Sequence, residues 1–208
     1  MGQRPVPLSA PLRLVRPTED LDLAARCAAG DRAAQRLLFD RERRRVHGLL
    51  YRVVGSNAQM DDLLQDTFLQ VFRSLPTFRG DSSLRTWIDR CAVRVAYAHF
   101  ARKSRTPTLE CIQDVGTEDP TAEERTSMRE AVRRLYAELD RLEPRQRVAF
   151  TLFTVENRTL REVAEITEST LATAKIRVWR ARRALEGRAK KDPLLKEFLT
   201  DGLQQQET

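Results

Sequence analysis

Residues 159–184 read TLREVAEITESTLATAKIRVWRARRA, and their spacing predicts two short helices joined by a tight turn. Thr159 and Glu162 make a capping-box pair: the hydroxyl accepts from the backbone three residues on, and the carboxylate reaches back. Leu160, Val163, Ala164 and Ile166 give the first helix a buried side. The period breaks at Thr167–Thr170, where Ser169 or Thr170 can cap the next helix. In that helix Leu171, Ala174, Val178, Ala181 and Leu185 recur at helical spacing. Lys175, Arg177, Arg180, Arg182 and Arg183 take the remaining surface. The pattern is a helix-turn-helix whose second helix suits a major groove.

Charge sharpens that reading. The chain has 208 residues, is 41% hydrophobic and carries a net charge of +7. From Ser169 to Lys191 there are eight basic residues against one acid, Glu186, so this stretch alone equals the net charge of the whole. A localised basic helix points to a polyanion. Gly and Pro are sparse within the periodic segments and alternating β-branched runs are absent, so the expected class is all-α. Cys27, Cys91 and Cys111 form no CxxC pair, and His47 and His99 are the only histidines. No metal site, disulfide framework or cofactor is expected. No nucleophile–base pair or Gly-rich phosphate loop appears, which argues against an enzyme. The acids of residues 61–66 are most simply a solvated or partner-facing side. No apolar run reaches membrane-spanning length and the N-terminus lacks a signal-like apolar core. The expectation is a reducing, cytoplasmic compartment with no membrane insertion.

Outward from the helix-turn-helix, the chain divides into segments. Residues 1–17 hold four prolines and three arginines without a period and read as a disordered arm. Helices begin near Thr18, with Leu21, Ala24, Ala25 and Ala28 inward, and Gly30 ends the first. Asp31 caps a second helix to about Val54, with Ala34, Leu37, Leu38, Val46, Leu49, Leu50 and Val53 inward and Gly55 as its stop. Ser56 or Asn57 opens a third. Its buried side is Leu63, Leu64, Phe68, Val71, Phe72 and Leu75, and its polar side Asp61, Asp62, Gln65, Asp66 and Gln70. The loop PTFRGDSS follows, and Asp81 or Ser82 caps a fourth helix. There Leu84, Ile88, Cys91, Val95 and Ala98 face inward, while Trp87, Arg90, Arg94 and Tyr97 interleave rings and guanidinium groups beside them. Such a face suits single-stranded DNA, although edge-of-core packing is the plainer role for the two rings. Residues 104–120 read as a linker. Thr121 and Glu124 make a second capping box before a helix with Met128, Ala131, Val132, Leu135 and Leu139 inward. Pro144 starts a helix with Val148, Leu152 and Val155 inward. Residues 192–208 offer a short amphipathic helix and a polar tail.

The motifs DDLLQDTFLQVFRSLPTFRGDSSLRTWIDRCAVRVA (61–96), LEPRQRVAFTL (142–152) and ATAKIRVWRARRAL (172–185), in this order, resemble the bacterial RNA polymerase sigma factors of the extracytoplasmic-function group. The resemblance implies two small helical domains: region 2 over 18–105 and region 4 over 121–191, with a flexible linker at 106–120. It implies that Asp61, Asp62, Gln65 and Asp66 dock on the clamp helices of the polymerase's largest subunit. Phe78, Arg79, Ser83, Arg85, Trp87, Arg90 and Arg94 fall where the family reads a melted −10 element. Thr170, Thr173, Lys175, Arg177, Arg180 and Arg183 fall where it reads the −35 element in duplex promoter DNA. Region 4 would also sit on the flap of the second-largest subunit. An anti-sigma partner would hold a closed state with both DNA surfaces hidden, and the free factor would join the nucleoid as holoenzyme. The chain departs from the family at the turn, where Thr167, Glu168 and Ser169 replace a glycine-bearing segment. Trp179, at a commonly polar position, reads more as a protein contact or packing residue than as a DNA contact. The competing reading is a helix-turn-helix regulator that binds duplex DNA without polymerase; it gives residues 56–105 no role.

Overall fold

Gly30 and Asp31 set the first corner of the chain. Gly30 takes a left-handed backbone (φ 86°), and the Asp31 carboxylate accepts the N–H groups of Ala33 and Ala34 at 2.9 and 3.1 Å. Those donors have no partner inside the helix they begin. The computed structural model describes residues 17–56, 58–103 and 122–189. Among them run α1 (Pro17–Ala28), α2 (Arg32–Val54), α3 (Met60–Ser74), α4 (Leu84–Lys103), α5 (Ala122–Leu139), α6 (Pro144–Phe150), α7 (Leu160–Ile166) and α8 (Leu171–Ala189). A 3₁₀ turn at Leu75–Thr77 follows α3, and a π-type turn at Thr151–Val155 extends α6. The all-α expectation holds. The linker 104–120, the Thr121–Glu124 box, the side chains of Met128 and Ala131, the helix from 192 and nearly all of the arm lie outside the described residues. Pro17, expected as the arm's last residue, instead opens α1.

Several helix starts and faces differ from expectation, most of them for a local reason. The Ser56 hydroxyl accepts from Ala58 N–H at 3.2 Å and closes a turn of its own, so α3 starts only at Met60. The left-handed Gly80 delays the next helix, and Ser83, not Asp81 or Ser82, caps α4 by accepting from Thr86 N–H at 3.0 Å. In α1 the buried residues are Leu23, Ala24 and Cys27, while Leu21 and Ala25 are exposed. Asp20 is drawn inward to meet Arg41 at 3.0 Å, which sets that rotation. Leu37 is exposed on the outer side of α2. Val155 is exposed because Glu156 N–H reaches back five residues to the Thr151 carbonyl at 3.0 Å, a π spacing that shifts the helical phase. Leu171 stands at the first position of α8, beyond the packing contact, and is also exposed.

The core reaches α4 from several sides. Leu38, Val46, Leu50 and Val53 of α2, Leu63, Phe68 and Val71 of α3, and Leu84, Ile88, Cys91 and Val95 of α4 are buried together. Ala92, Val93, Ala96 and Phe100 are buried as well, whereas Ala98 is exposed. Val148, Ala149 and Leu152 from α6 and its π turn, and Val163, Ala164 and Ile166 of α7, join the same cluster. The two expected halves therefore share one core. A smaller cluster of Leu135, Tyr136, Leu139, Leu142, Phe150, Ala181 and Leu185 ties α5 and α6 to α8.

Polar contacts fix the halves in register. Arg147 of α6 donates from Nε to the Val53 carbonyl at 2.7 Å and from Nη2 to the Val54 carbonyl at 2.6 Å. Its guanidinium lies 5.0 Å over the Phe100 ring. Tyr136 packs against Gly55 so closely that a Cβ there would collide with the ring. Gly55 is also left-handed (φ 73°), so turn and approach both require glycine.

Candidate nucleic-acid and polymerase interfaces

The helix α4 carries the first candidate surface. Trp87, Arg90, Arg94 and Tyr97 follow one another at helical spacing along the side next to the helix-turn-helix. Phe78, from the loop before α4, meets Trp87 edge-on with ring centroids 5.4 Å apart. The Trp87 indole N–H and the Tyr97 hydroxyl are buried without a hydrogen-bond partner. Arg79 and Ser83 are exposed in the loop, with the Ser83 hydroxyl engaged as the α4 cap. Arg85 is not brought to this face. It is exposed on the side of α4 that carries Asp89, where partial desolvation and the neighbouring Arg45 and Arg158 push its pKa down.

Arg90 and Arg94 are occupied. Arg90 donates from Nε to the Glu165 carbonyl at 3.0 Å and from Nη2 to the Glu165 carboxylate at 3.1 Å. Arg94 donates from Nε to Glu168 Oε2 at 3.0 Å and pairs with Oε1 through Nη2. Glu165 and Glu168 belong to α7 and its turn. Thr173 and Arg177 of α8 line the same cleft as Arg90.

The second helix of the helix-turn-helix divides its polar residues between two sides. Thr170 caps α8, accepting from Thr173 N–H at 3.1 Å. Thr173 and Arg177 are half-buried and face the cleft, while Lys175, Arg180 and Arg183 are exposed. Ile176 and Trp179 are exposed among them, and the Arg183 guanidinium lies 5.2 Å over the Trp179 ring. That stack keeps the indole on the outer surface rather than in the core.

The α3 surface is the third candidate. Asp61, Asp62, Gln65 and Asp66 are all exposed on one side of it. Leu69 joins them as an exposed apolar residue, which the sequence reading did not single out. Asp66, Leu69, Gln70, Arg73, Ser74 and Val95 line a shallow groove between α3 and α4.

Comparison with known proteins separates a generic helix-turn-helix from this arrangement. The family model for sigma-70 region 2 matches residues 38–106, and that for sigma-70 region 4 matches residues 132–185. The ECF RNA polymerase sigma-E factor of Haemophilus influenzae is 32% identical over 179 residues, covering 81% of this chain and 94% of that protein. The chain belongs to the extracytoplasmic-function sigma factors. A sigma factor is a transcription initiation factor: it binds core RNA polymerase and directs it to promoters, which accounts for residues 56–105 as a bare DNA-binding regulator does not. The fold is shared with CnrH, solved in complex with the cytosolic domain of CnrY (TM-score 0.60, 21% identity, 83% of this chain and 98% of that one). It is shared too with the sigma factor RpoE of Bartonella quintana, solved with the anti-sigma factor NepR (TM-score 0.57, 18% identity, 76% and 97% covered). Among the described residues no helix is long and apolar enough to cross a membrane.

This sigma factor also carries a buried ionic cluster that sequence reasoning missed. Asp89 of α4 is fully buried and accepts from Arg45 of α2 and from Arg158 of the segment before α7, the latter at 3.0 Å. The one available signal was its phase: Asp89 shares a side of α4 with Ala92 and Ala96.

Two tyrosines report on the packing. Burial pushes the phenols of Tyr97 and Tyr136 up to about 12, against an ordinary value of about 10. A raised phenol favours the folded state while it is protonated. That stability is complete below the unfolded pKa and is lost as pH rises towards 12. A spectrophotometric titration of the free factor is expected to show two tyrosines ionising near 12. Two ordinary titrations in folded protein would show that the halves do not pack this way in solution.

Proposed function

We propose that the two halves act as separate modules on polymerase, region 2 over 18–105 and region 4 over 121–191, joined by the linker 106–120. Asp61, Asp62, Gln65 and Asp66 dock on the clamp helices of the largest subunit. A carboxylate face opposite basic helices suits that contact, and their joint exposure on α3 supports it. Phe78, Arg79, Ser83, Trp87, Arg90 and Arg94 hold the melted −10 strand. Unstacking a base costs a few kcal/mol, and stacking on an aromatic ring recovers about 1–3 kcal/mol. Arg85, on another side of α4, is left out of this strand-holding face. Thr173, Lys175, Arg177, Arg180 and Arg183 read the −35 duplex, with Thr170 setting the start of their helix. Region 4 sits on the flap of the second-largest subunit. The factor has no catalysis of its own and works in the cytoplasm, on the nucleoid as part of holoenzyme. It is held in check by an anti-sigma factor, a partner of the kind that the Bartonella sigma factor RpoE binds in its solved complex.

The observation that carries this reading is the single face of α4 that gathers Trp87, Arg90 and Arg94, with Phe78 against the indole. The test mixes the protein with core bacterial polymerase, asks for co-elution, then presents fork-junction DNA with a single-stranded −10 segment. The complex is expected to capture the fork better than either component alone. Asp66→Ala should weaken co-elution, and Arg90→Ala should weaken fork capture while co-elution persists. Binding to duplex DNA alone, with polymerase ignored, would make the −10 and clamp assignments wrong.

A further inference from the structure

The turn of the helix-turn-helix holds a residue in an unfavourable backbone. Glu168 has a φ of 50°, a left-handed conformation that glycine adopts freely and a long side chain does not. The turn itself does not use the carboxylate. It is closed by Ser169 N–H to the Ala164 carbonyl at 2.9 Å and by the Thr167 hydroxyl to the Val163 carbonyl at 2.7 Å. Both carboxylate oxygens instead meet the Arg94 guanidinium. One helical turn earlier, Arg90 is held by the carbonyl and carboxylate of Glu165. The acids stand three apart and the arginines four apart, so the two pairs match in register across the cleft between α4 and α7. A carboxylate in the fork of a guanidinium takes the geometry that phosphate oxygens would take. Strain of this kind persists where the surrounding structure uses it.

We propose that Glu168, with Glu165 beside it, is a built-in competitor for nucleic-acid phosphate. In the free chain it occupies the arginines that hold single-stranded DNA, and it leaves them when polymerase draws the halves apart. The proposal rests on the assignment of Arg90 and Arg94 to the strand. It adds that the chain hides this surface by itself, before any partner binds. The Arg94 and Glu168 side chains are 46% and 47% exposed, so the pair is a weak latch that salt and partners can open.

The test uses the full chain and a labelled, short, mixed-sequence single-stranded oligonucleotide at low salt. Glu168→Asn removes the charge in a residue that tolerates the left-handed turn. Glu168→Gly removes the strain as well. Each is expected to raise the affinity of the free chain for the oligonucleotide about three- to tenfold. Adding Arg94→Ala should erase the gain, and the thermal midpoint of Glu168→Gly should not fall. In holoenzyme on fork-junction DNA both variants should stay within about twofold of the parent, because the latch is already open. Free variants that bind no tighter than the parent, with melting intact, would overturn the latch and leave the promoter reading standing. Holoenzyme fork capture indifferent to both Arg90→Ala and Arg94→Ala would instead overturn the strand assignment, and the latch with it.

Discussion

Replacing Asp89 with alanine is expected to lower the unfolding free energy by about 3 kcal/mol, read as a lower urea midpoint. The side chain is fully buried, and burial raises its pKa against the pull of Arg45, Arg158 and Arg85. Without it, two arginines lose a shared acceptor. Breaking a buried pair costs about 3–5 kcal/mol when the survivor is left without a partner. Here the lower figure applies, because each arginine keeps a second acid: Glu42 at 2.7 Å for Arg45 and Glu162 at 3.1 Å for Arg158. Asp89→Asn preserves shape but not charge and should cost about half as much. The Asp89→Ala, Arg158→Ala double variant should cost less than the two singles together, since both remove the same contact. Parental stability in Asp89→Ala would mean that Arg158 does not reach α4 in solution and that the halves do not pack as described.

What was legible in the sequence was local. The Thr159–Glu162 box forms as read, with Glu162 N–H donating to the Thr159 hydroxyl at 3.2 Å and Thr159 N–H donating to the Glu162 carboxylate at 2.8 Å. Asp31 and Gly55 stand where spacing put them, and of Ser169 and Thr170 it is Thr170 that caps α8, because a cap is settled within three residues. Ser56, Asp81 and Ser82 misled for the same reason: several short polar residues lie within one turn of the true starts, and only the chain's path selects among them. Inward faces failed at Leu21 and Ala25, where the Asp20–Arg41 pair sets the rotation, at Val155 in the π turn, at Leu171 on a helix end, and at Leu37 and Ala98. The charged groups that tie distant elements together were out of reach. Arg45, Arg147 and Arg158 find partners 44, 94 and 69 residues away, and no periodicity encodes such pairs. A polar linker likewise says that two modules are connected, not whether they touch. For the candidate sites, the motif order brought Trp87, Arg90 and Arg94 to one face, while Arg85 fell on another because 85 and 89 are one turn apart. Leu69 was hidden in a helix whose exposed side read as acidic and polar.

Arg147→Ala should have the other large effect, a loss of about 3–4 kcal/mol. The side chain is 3% exposed. It closes the end of α2, where Val53 and Val54 have carbonyls that the helix itself cannot satisfy. A cation there also meets the negative end of the helix dipole. Alanine removes two charge-assisted hydrogen bonds and the stack on Phe100, leaving two buried acceptors without that donor. Asp140, the ion-pair partner, is 48% exposed and returns to water, so it adds little. Lysine is no substitute: one ammonium on a flexible stem cannot hold both carbonyls and cover the ring, and Arg147→Lys should still cost about 2 kcal/mol. The loss has a location as well as a size. Arg147 belongs to α6 and its acceptors to α2, so hydrogen exchange should quicken first in the last turn of α2. On the proposed reading, polymerase holds region 2 and region 4 on different subunits, where this contact is not made. The variant should then lose stability when free yet capture fork-junction DNA nearly as well in holoenzyme. If holoenzyme function fell in step with stability, the contact would belong to the working state of the factor and not only to its closed one.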